Sequence, residues 1–400
     1  MIVKILRLNN EGEGIASINN KLCFIKGALP NEEVEIEITM DKGNYYIGKL
    51  INIIKPSIDR VIPKCPYYDK CGGCNLMHLS YNKQLEFKKD KVIGIFKKIS
   101  NIDISLNIYS YNELSYRNKV TLKVNNNELG YYEESTHNIV SIDNCLLLDD
   151  SINDVINKLN TFIQNKDNNI TEVMIRSISN EIMISFDNLN PIYKEELLNI
   201  FPSESIYIKN ENISGKAQLI ETIEDCKFNV SPYSFFQVNK DTFKELYKFV
   251  INKLDGNGNA LDLYSGTGTI SILMSKYFDK VYGIEVSSSS IGDANNNLEL
   301  NNISNVEFIE GKVEDKIDKL KELKVDTVIM DPPRAGSDNK SLESIMEISP
   351  NKIIYISCNP VTLARDYNIL KEKYSLRSID LFDMFPQTSH VECVCLLERY

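Results

Sequence analysis

The sequence contains no apolar run of the ~20 residues that a membrane-spanning helix needs, so no membrane partner is expected. Its opening residues, MIVKILRLNNEGEG, lack the basic start and apolar centre of a secretory leader, and a cytoplasmic location follows as the expectation. Cysteine is too scarce and too unevenly spaced, at nine in 400 residues, for a disulfide scaffold. In a reducing compartment, clustered cysteines instead bind metal or carry out chemistry. Excess positive charge is also missing: the net charge of −11 excludes a surface coated in base. It does not exclude nucleic acid, because a local patch is enough to meet phosphates. The remaining composition, 42% hydrophobic and 25% charged, is that of a globular protein. The length predicts two or three domains, and a monomer is the default.

Three regions are read along the chain. Residues 1–57 predict several short strands, of which Val34 to Ile38 alternates strictly and Tyr46 to Leu50 follows a Lys-Gly-Asn turn. That density of strands predicts a small barrel. Residues 58–230 are mixed α+β and hold a cysteine cluster and a lysine-rich helix over 80–98, which is assigned to pack on the third region. Lys83, Lys88, Lys89, Lys91, Lys97 and Lys98 crowd this helix, either as a solvated face or as a local basic patch. From 231 to 400, strand and helix alternate. Ala260–Tyr264, Lys280–Glu285, Val306–Ile309, Thr327–Met330, Lys352–Ile356 and Val391–Leu397 read as strands. Such alternation predicts a Rossmann-like, doubly wound parallel sheet, which binds ligands at the carboxyl ends of its strands.

The candidate chemical residues fall at those ends. Asp262-Leu-Tyr264-Ser-Gly266-Thr-Gly268-Thr269 is a glycine turn without the third glycine of the dinucleotide fingerprint. Glu285 ends the next strand about twenty residues on, where a carboxylate can hold both ribose hydroxyls. This pairing fits a nucleoside cofactor without pyrophosphate, S-adenosylmethionine. Asp331-Pro-Pro-Arg334 follows a further strand, and its two prolines lock an extended turn. Enzymes that methylate amino groups usually end this motif in an aromatic residue, so Arg334 counts against that chemistry. Cys358, in Ser-Cys-Asn-Pro, follows a strand beside the cofactor turn. Uracil C5 is a poor nucleophile until a thiolate adds at C6, and this is covalent catalysis of the kind a strand-end cysteine can perform. Glu392 is a charged residue in an apolar strand and is the candidate base for the C5 proton. Its neighbours Cys393 and Cys395 read as packing residues. Cys65, Cys71 and Cys74, spaced C-x5-C-G-G-C, with Cys145 as a distant fourth, suit zinc or a [4Fe–4S] cluster.

These motifs, with Tyr116-Arg117-Asn118-Lys119 and Phe235-Phe236-Gln237-Val238-Asn239, resemble the RNA (uracil-5-)-methyltransferases over essentially the full length. Specifically, the chain resembles the iron–sulfur-containing ribosomal RNA type, with an N-terminal region similar to the OB-like TRAM domain. The resemblance implies that Cys65, Cys71, Cys74 and Cys145 hold a [4Fe–4S] cluster. It implies that Gln237, Tyr264, Gly266, Thr269, Glu285 and Asp331 serve the S-adenosylmethionine site, with Cys358 as nucleophile and Glu392 as base. Thr269 stands where family members usually have asparagine, and Cys393 where they have threonine. Arg117 is assigned to RNA placement or to a structural ion pair. The expected substrate is a uridine of structured RNA, 23S ribosomal RNA first and transfer RNA as the alternative. A non-catalytic iron–sulfur RNA-binding protein is the reading from a different class, against which Cys358 and Glu392 together speak.

Overall fold

A computed structural model describes residues 1–134 and 136–400. The chain divides into two units: Met1–Lys91 with Tyr131–Val140 and Phe385–His390, and Val92–Gly130 with Ser141–Met384 and Val391–Tyr400.

In the first unit, six strands are ordered Ile2–Lys4, Glu33–Asp41, Tyr45–Lys55, Lys21–Ile25, Gly14–Ile18 and Arg7–Leu8. The two outermost strands are neighbours in sequence. Ile5 donates its N–H to Glu32 and Leu6 donates to Ile15, so the connecting residues bond to both ends of the order and the sheet closes on itself. Alternation puts Val34, Ile36, Cys23, Ile25, Ala16 and Ile18 inside, and Cys23 is a core residue. Glu32, fully buried, receives Arg60 through Nε at 2.6 Å and Nη2 at 2.8 Å, together with the N–H groups of Leu29 and Ser57.

The same unit holds the first half of the Tyr81–Ser100 helix and its lysines. They do not form one solvated basic face. Lys88 is fully buried and its Nζ donates to the Phe385 carbonyl at 3.1 Å; Lys91 Nζ donates to that of Ser389 at 3.0 Å. Gln84 is buried and exchanges hydrogen bonds with Gln387, while Asn75 does the same with Ser389. This side of the helix is therefore structural and holds the Phe385–His390 loop. Lys83 pairs with Glu86 on the surface.

The second unit is built on an eight-stranded sheet ordered Val306–Glu310, Lys280–Glu285, Asn259–Leu263, Val325–Met330, Lys352–Ser357, Glu392–Arg399, Tyr374–Phe382 and Leu106–Tyr109. Its first five strands run parallel, as a doubly wound sheet requires. The strand Glu392–Arg399 departs from the expected all-parallel order, pairing antiparallel with both neighbours. No crossover helix separates it from Tyr374–Phe382, and strands joined without a crossover run antiparallel. Leu106–Tyr109 completes the sheet from well outside the 231–400 region. Val92, Ile95 and Phe96, from the second half of the lysine-rich helix, are buried in the same core as Leu263, Val328 and Tyr355. A separate sheet carries Lys119–Asn125, Glu172–Ile178, Glu181–Phe186, Ser205–Ile208 and Glu211–Ser214. Among the described residues, no helix is long and apolar enough to cross a membrane.

Candidate active site

The glycine turn leaves the Asn259–Leu263 strand through Tyr264, which sits at φ +66° in the left-handed region that non-glycine residues seldom enter. Its hydroxyl lies 2.9 Å from Ser337 Oγ. Gly268 closes the turn at φ +77°, and a Cβ there would lie 2.4 Å from the Phe308 ring, so only glycine lets this turn start the Thr269–Met274 helix. The turn, Phe235-Phe236-Gln237 and Asp331 together line an open cleft at the carboxyl ends of the parallel strands, the place where such sheets bind ligands. Of the expected cofactor residues, Gln237, Tyr264, Gly266, Thr269 and Asp331 line this cavity directly. Glu285 stands behind it: Oε2 accepts the Gly266 N–H at 3.0 Å and Oε1 the Ser287 N–H at 2.8 Å.

The reversed strand explains how the candidate nucleophile and base meet. Ser357 pairs with Cys393 at the end of the antiparallel ladder, and the residues just beyond, Cys358 and Glu392, come close enough at the carboxyl end of the parallel strands for the Glu392 charge to act on the Cys358 thiol. Cys358 is half-buried. Burial and then the charges of Glu392 and Asp331 raise its thiol pKa, while the Arg334 guanidinium lowers it. Glu392 is only 6% exposed. Burial, and then Asp331, pushes its carboxyl well above the ordinary range. Asp331 is pushed up to about 7 by burial and by Asp262. Cys393 and Cys395 are buried in the sheet core, as expected for packing residues. Arg117 Nε donates to the Lys119 carbonyl at 2.9 Å.

Two lining residues carried no assigned role on sequence grounds. Asp262, 1% exposed, accepts Ser271 Oγ at 2.6 Å, and burial pushes its carboxyl up to about 7. It had a signal, an acid within an apolar strand, of the same kind that marked Glu392. Tyr247 hydrogen-bonds Gln237, and its hydroxyl pKa is raised by burial and by the surrounding acids. Nothing in its helix spacing separates it from a packing tyrosine.

The cysteine cluster is distributed differently. Cys65, Cys71 and Cys74 belong to the first unit and Cys145 to the second. All four are half-buried and none is in a disulfide. The Gly73 N–H points to Cys71 Sγ at 3.4 Å. Asn153 holds the backbone of Cys145, accepting its N–H at 2.9 Å and donating to its carbonyl at 3.2 Å. Among the described residues, no three His, Cys, Asp or Glu side chains are arranged to hold a metal ion.

A doubly wound sheet whose glycine turn opens a cleft at the carboxyl ends of its strands, beside a half-buried thiol and a buried acid, has the layout of a ligand-binding enzyme domain. The comparisons specify which. Residues 80–400 match the tRNA (uracil-5-)-methyltransferase family and residues 1–51 match the TRAM domain. The chain is 36% identical to an uncharacterized RNA methyltransferase of Clostridium tetani, covering 99% of this chain and 95% of that one. It is 38% identical to another from Clostridium acetobutylicum, over 98% and 95%. Among solved structures it is similar to the tRNA (uracil-54, C5)-methyltransferase of Pyrococcus abyssi in complex with S-adenosyl-L-homocysteine. The TM-score is 0.79 at 28% identity, covering 99% of this chain and all of that one. The chain belongs to the tRNA (uracil-5-)-methyltransferase family and carries an N-terminal TRAM domain.

Proposed function

We propose that the protein methylates C5 of a uridine in 23S ribosomal RNA, with Cys358 as nucleophile and Glu392 as general base. The observation that carries the chemistry is the juxtaposition of these two side chains across the ladder pair Ser357–Cys393, beside the Asp331 wall of the cavity. The Cys358 thiolate bonds to uracil C6, and the C5–C6 electron pair shifts toward C4 and its oxygen. S-adenosylmethionine, when bound, supplies the electrophilic methyl group that the activated C5 takes. The Glu392 carboxylate then removes the C5 proton; the double bond re-forms and the thiolate leaves. The high proton affinity of Glu392 suits this last step. Arg334 favours the thiolate. Phe235, exposed at the cavity mouth, offers an aromatic face to a base taken out of its stack.

Gln237, Tyr264, Gly266, Thr269 and Asp331 hold the cofactor, and the Glu285 carboxylate accepts from its ribose. Cys65, Cys71, Cys74 and Cys145 hold a [4Fe–4S] cluster. The donor chemistry supports this reading: three thiols lie in one short turn-rich segment, and a backbone N–H points to Cys71 Sγ as it does to cluster ligands. Anaerobic purification with iron and sulfide quantitation tests the cluster, which Cys71→Ser is expected to abolish.

The ribosomal target rests on the likeness to cluster-bearing family members. The likeness to the Pyrococcus abyssi enzyme favours transfer RNA as the second reading. Mapping 5-methyluridine in RNA from cells with and without this protein decides. Loss of a 23S mark is expected, and loss confined to transfer RNA would replace that target.

A further inference from the structure

The helix that follows the nucleophile ends in a charged network whose place in the site is unassigned. Asp366, on the helix Pro360–Leu370, is fully buried although it is an acid. A buried carboxylate is costly unless its oxygens are hydrogen-bonded, and here both oxygens accept. Oδ2 accepts the Ser337 N–H at 2.9 Å and the Tyr355 hydroxyl at 2.6 Å. Oδ1 accepts Arg365 Nε at 2.7 Å. Arg365 turns its other end to the carbonyls of Ala335 and Ser337, at 3.0 and 3.1 Å.

The partners of this one carboxylate come from three elements: the turn that holds Ser337, the strand that holds Tyr355 and the helix that holds Arg365. Ser337 closes the turn that begins at Asp331, and its Oγ lies 2.9 Å from the hydroxyl of Tyr264, in the cofactor turn. Tyr355 lies on the Lys352–Ser357 strand that delivers Cys358; burial, and then Asp366, raises its pKa and keeps the hydroxyl a donor. A second tie fixes the start of the same turn: Asn359, next to Cys358, donates Nδ2 to the Arg334 carbonyl at 2.9 Å. Backbone shape supports the arrangement. Gly336 has φ +79°, and a Cβ there would fall 2.5 Å from Arg365 Nη2 and 2.7 Å from Asp366 Oδ2. The turn can close over this pair only because residue 336 has no side chain.

We infer that Asp366 is a positioning residue that sets Tyr264 of the cofactor turn and the Asp331–Arg334 turn relative to Cys358. It does so through two separable legs: Ser337 to Tyr264, and Tyr355 to the strand carrying the nucleophile. The inference rests on the roles proposed above for Tyr264 and Cys358. It goes beyond them in assigning Asp366, Arg365, Ser337 and Tyr355 a common task.

The test cuts the legs one at a time and reads them separately. Affinity for S-adenosylhomocysteine is measured by calorimetry, and kcat at saturating S-adenosylmethionine is measured by 5-methyluridine formation. Ser337→Ala is expected to weaken S-adenosylhomocysteine binding about tenfold with kcat within about twofold of wild type, one charge-linked hydrogen-bond chain being lost. Tyr355→Phe is expected to lower kcat about tenfold and leave the affinity unchanged. Asp366→Asn, which keeps the shape, moves both, and Asp366→Ala moves both further; thermal melts of the four proteins report folding. A merely structural role would lower the melting temperature and move the two readouts in parallel in Ser337→Ala and in Tyr355→Phe as well. That outcome, or no change in either readout, overturns the inference. Wild type that binds S-adenosylhomocysteine but yields no 5-methyluridine would instead sink the proposed reaction, leaving the Ser337 leg testable by binding alone.

Discussion

Glu285 and Glu392 are both acids at the carboxyl edge of one sheet, yet their surroundings make them different reagents. Glu285 closes a parallel strand and spends each oxygen on a backbone N–H, from Gly266 and from Ser287. Those two N–H groups fix the orientation of its carboxyl. Glu392 opens an antiparallel strand, is buried, and faces Asp331, so its environment resists the charged form. Under the proposed function, one acid binds and the other takes up a proton. Residue type was the same; backbone donors on one side and a neighbouring carboxyl on the other decide the role.

Removing the group that only Glu392 serves gives the largest expected effect. Cys358→Ala should lose at least about 10⁴-fold in methylation, as for other covalent nucleophiles, and trap no adduct with RNA on denaturing gels. Residual turnover near wild type would dissolve the pairing of Cys358 with Glu392. Next, Glu392→Gln should slow turnover about 10²- to 10⁴-fold while a methylated RNA adduct accumulates on Cys358, because the stalled step is proton removal. An adduct-free Glu392 variant would mean that this acid acts earlier. Smaller again, Glu285→Gln should weaken S-adenosylhomocysteine binding about ten- to a hundredfold with little change in kcat. If the two glutamate variants exchanged these phenotypes, the contrast between the acids would be inverted.

The smallest effect is on stability. Asp262 and Asp331 have carboxyls pushed up to about 7, so between pH 4 and 7 the folded chain keeps protons that the unfolded chain has released. Stability from these groups is present at low pH and lost as pH rises through that window. The melting temperature should fall from pH 5 to pH 8, and Asp262→Asn should flatten the fall. Catalysis should run the other way, rising with pH as Glu392 ionises, and a kcat profile against the melting curve separates the two.

Much of this was legible before the structure. The strands at 280–285 and 352–357, the glycine turn, Cys358 and Glu392 all announce themselves locally, as apolar runs ending in polar residues. What was not legible depends on distant partners. Leu106–Tyr109 is too short to signal its place, because it pairs with residues 379–382. A lysine reads the same whether its ammonium meets phosphate or a carbonyl, so the buried anchoring of Lys88 to Phe385 could not be told from a basic patch. The reversal of Glu392–Arg399 was partly readable, since no helix intervenes after Tyr374–Phe382, but its insertion between two earlier strands was not.

That insertion also bears on synthesis. Lys352–Ser357 and Tyr374–Phe382 are translated before the strand that separates them. Until residues 392–399 emerge, each presents an unpaired edge, the kind of template on which nascent chains misassociate. Cys358 is thus translated before Glu392, and the strand that covers these edges is the one that carries Glu392 to the neighbourhood of Cys358.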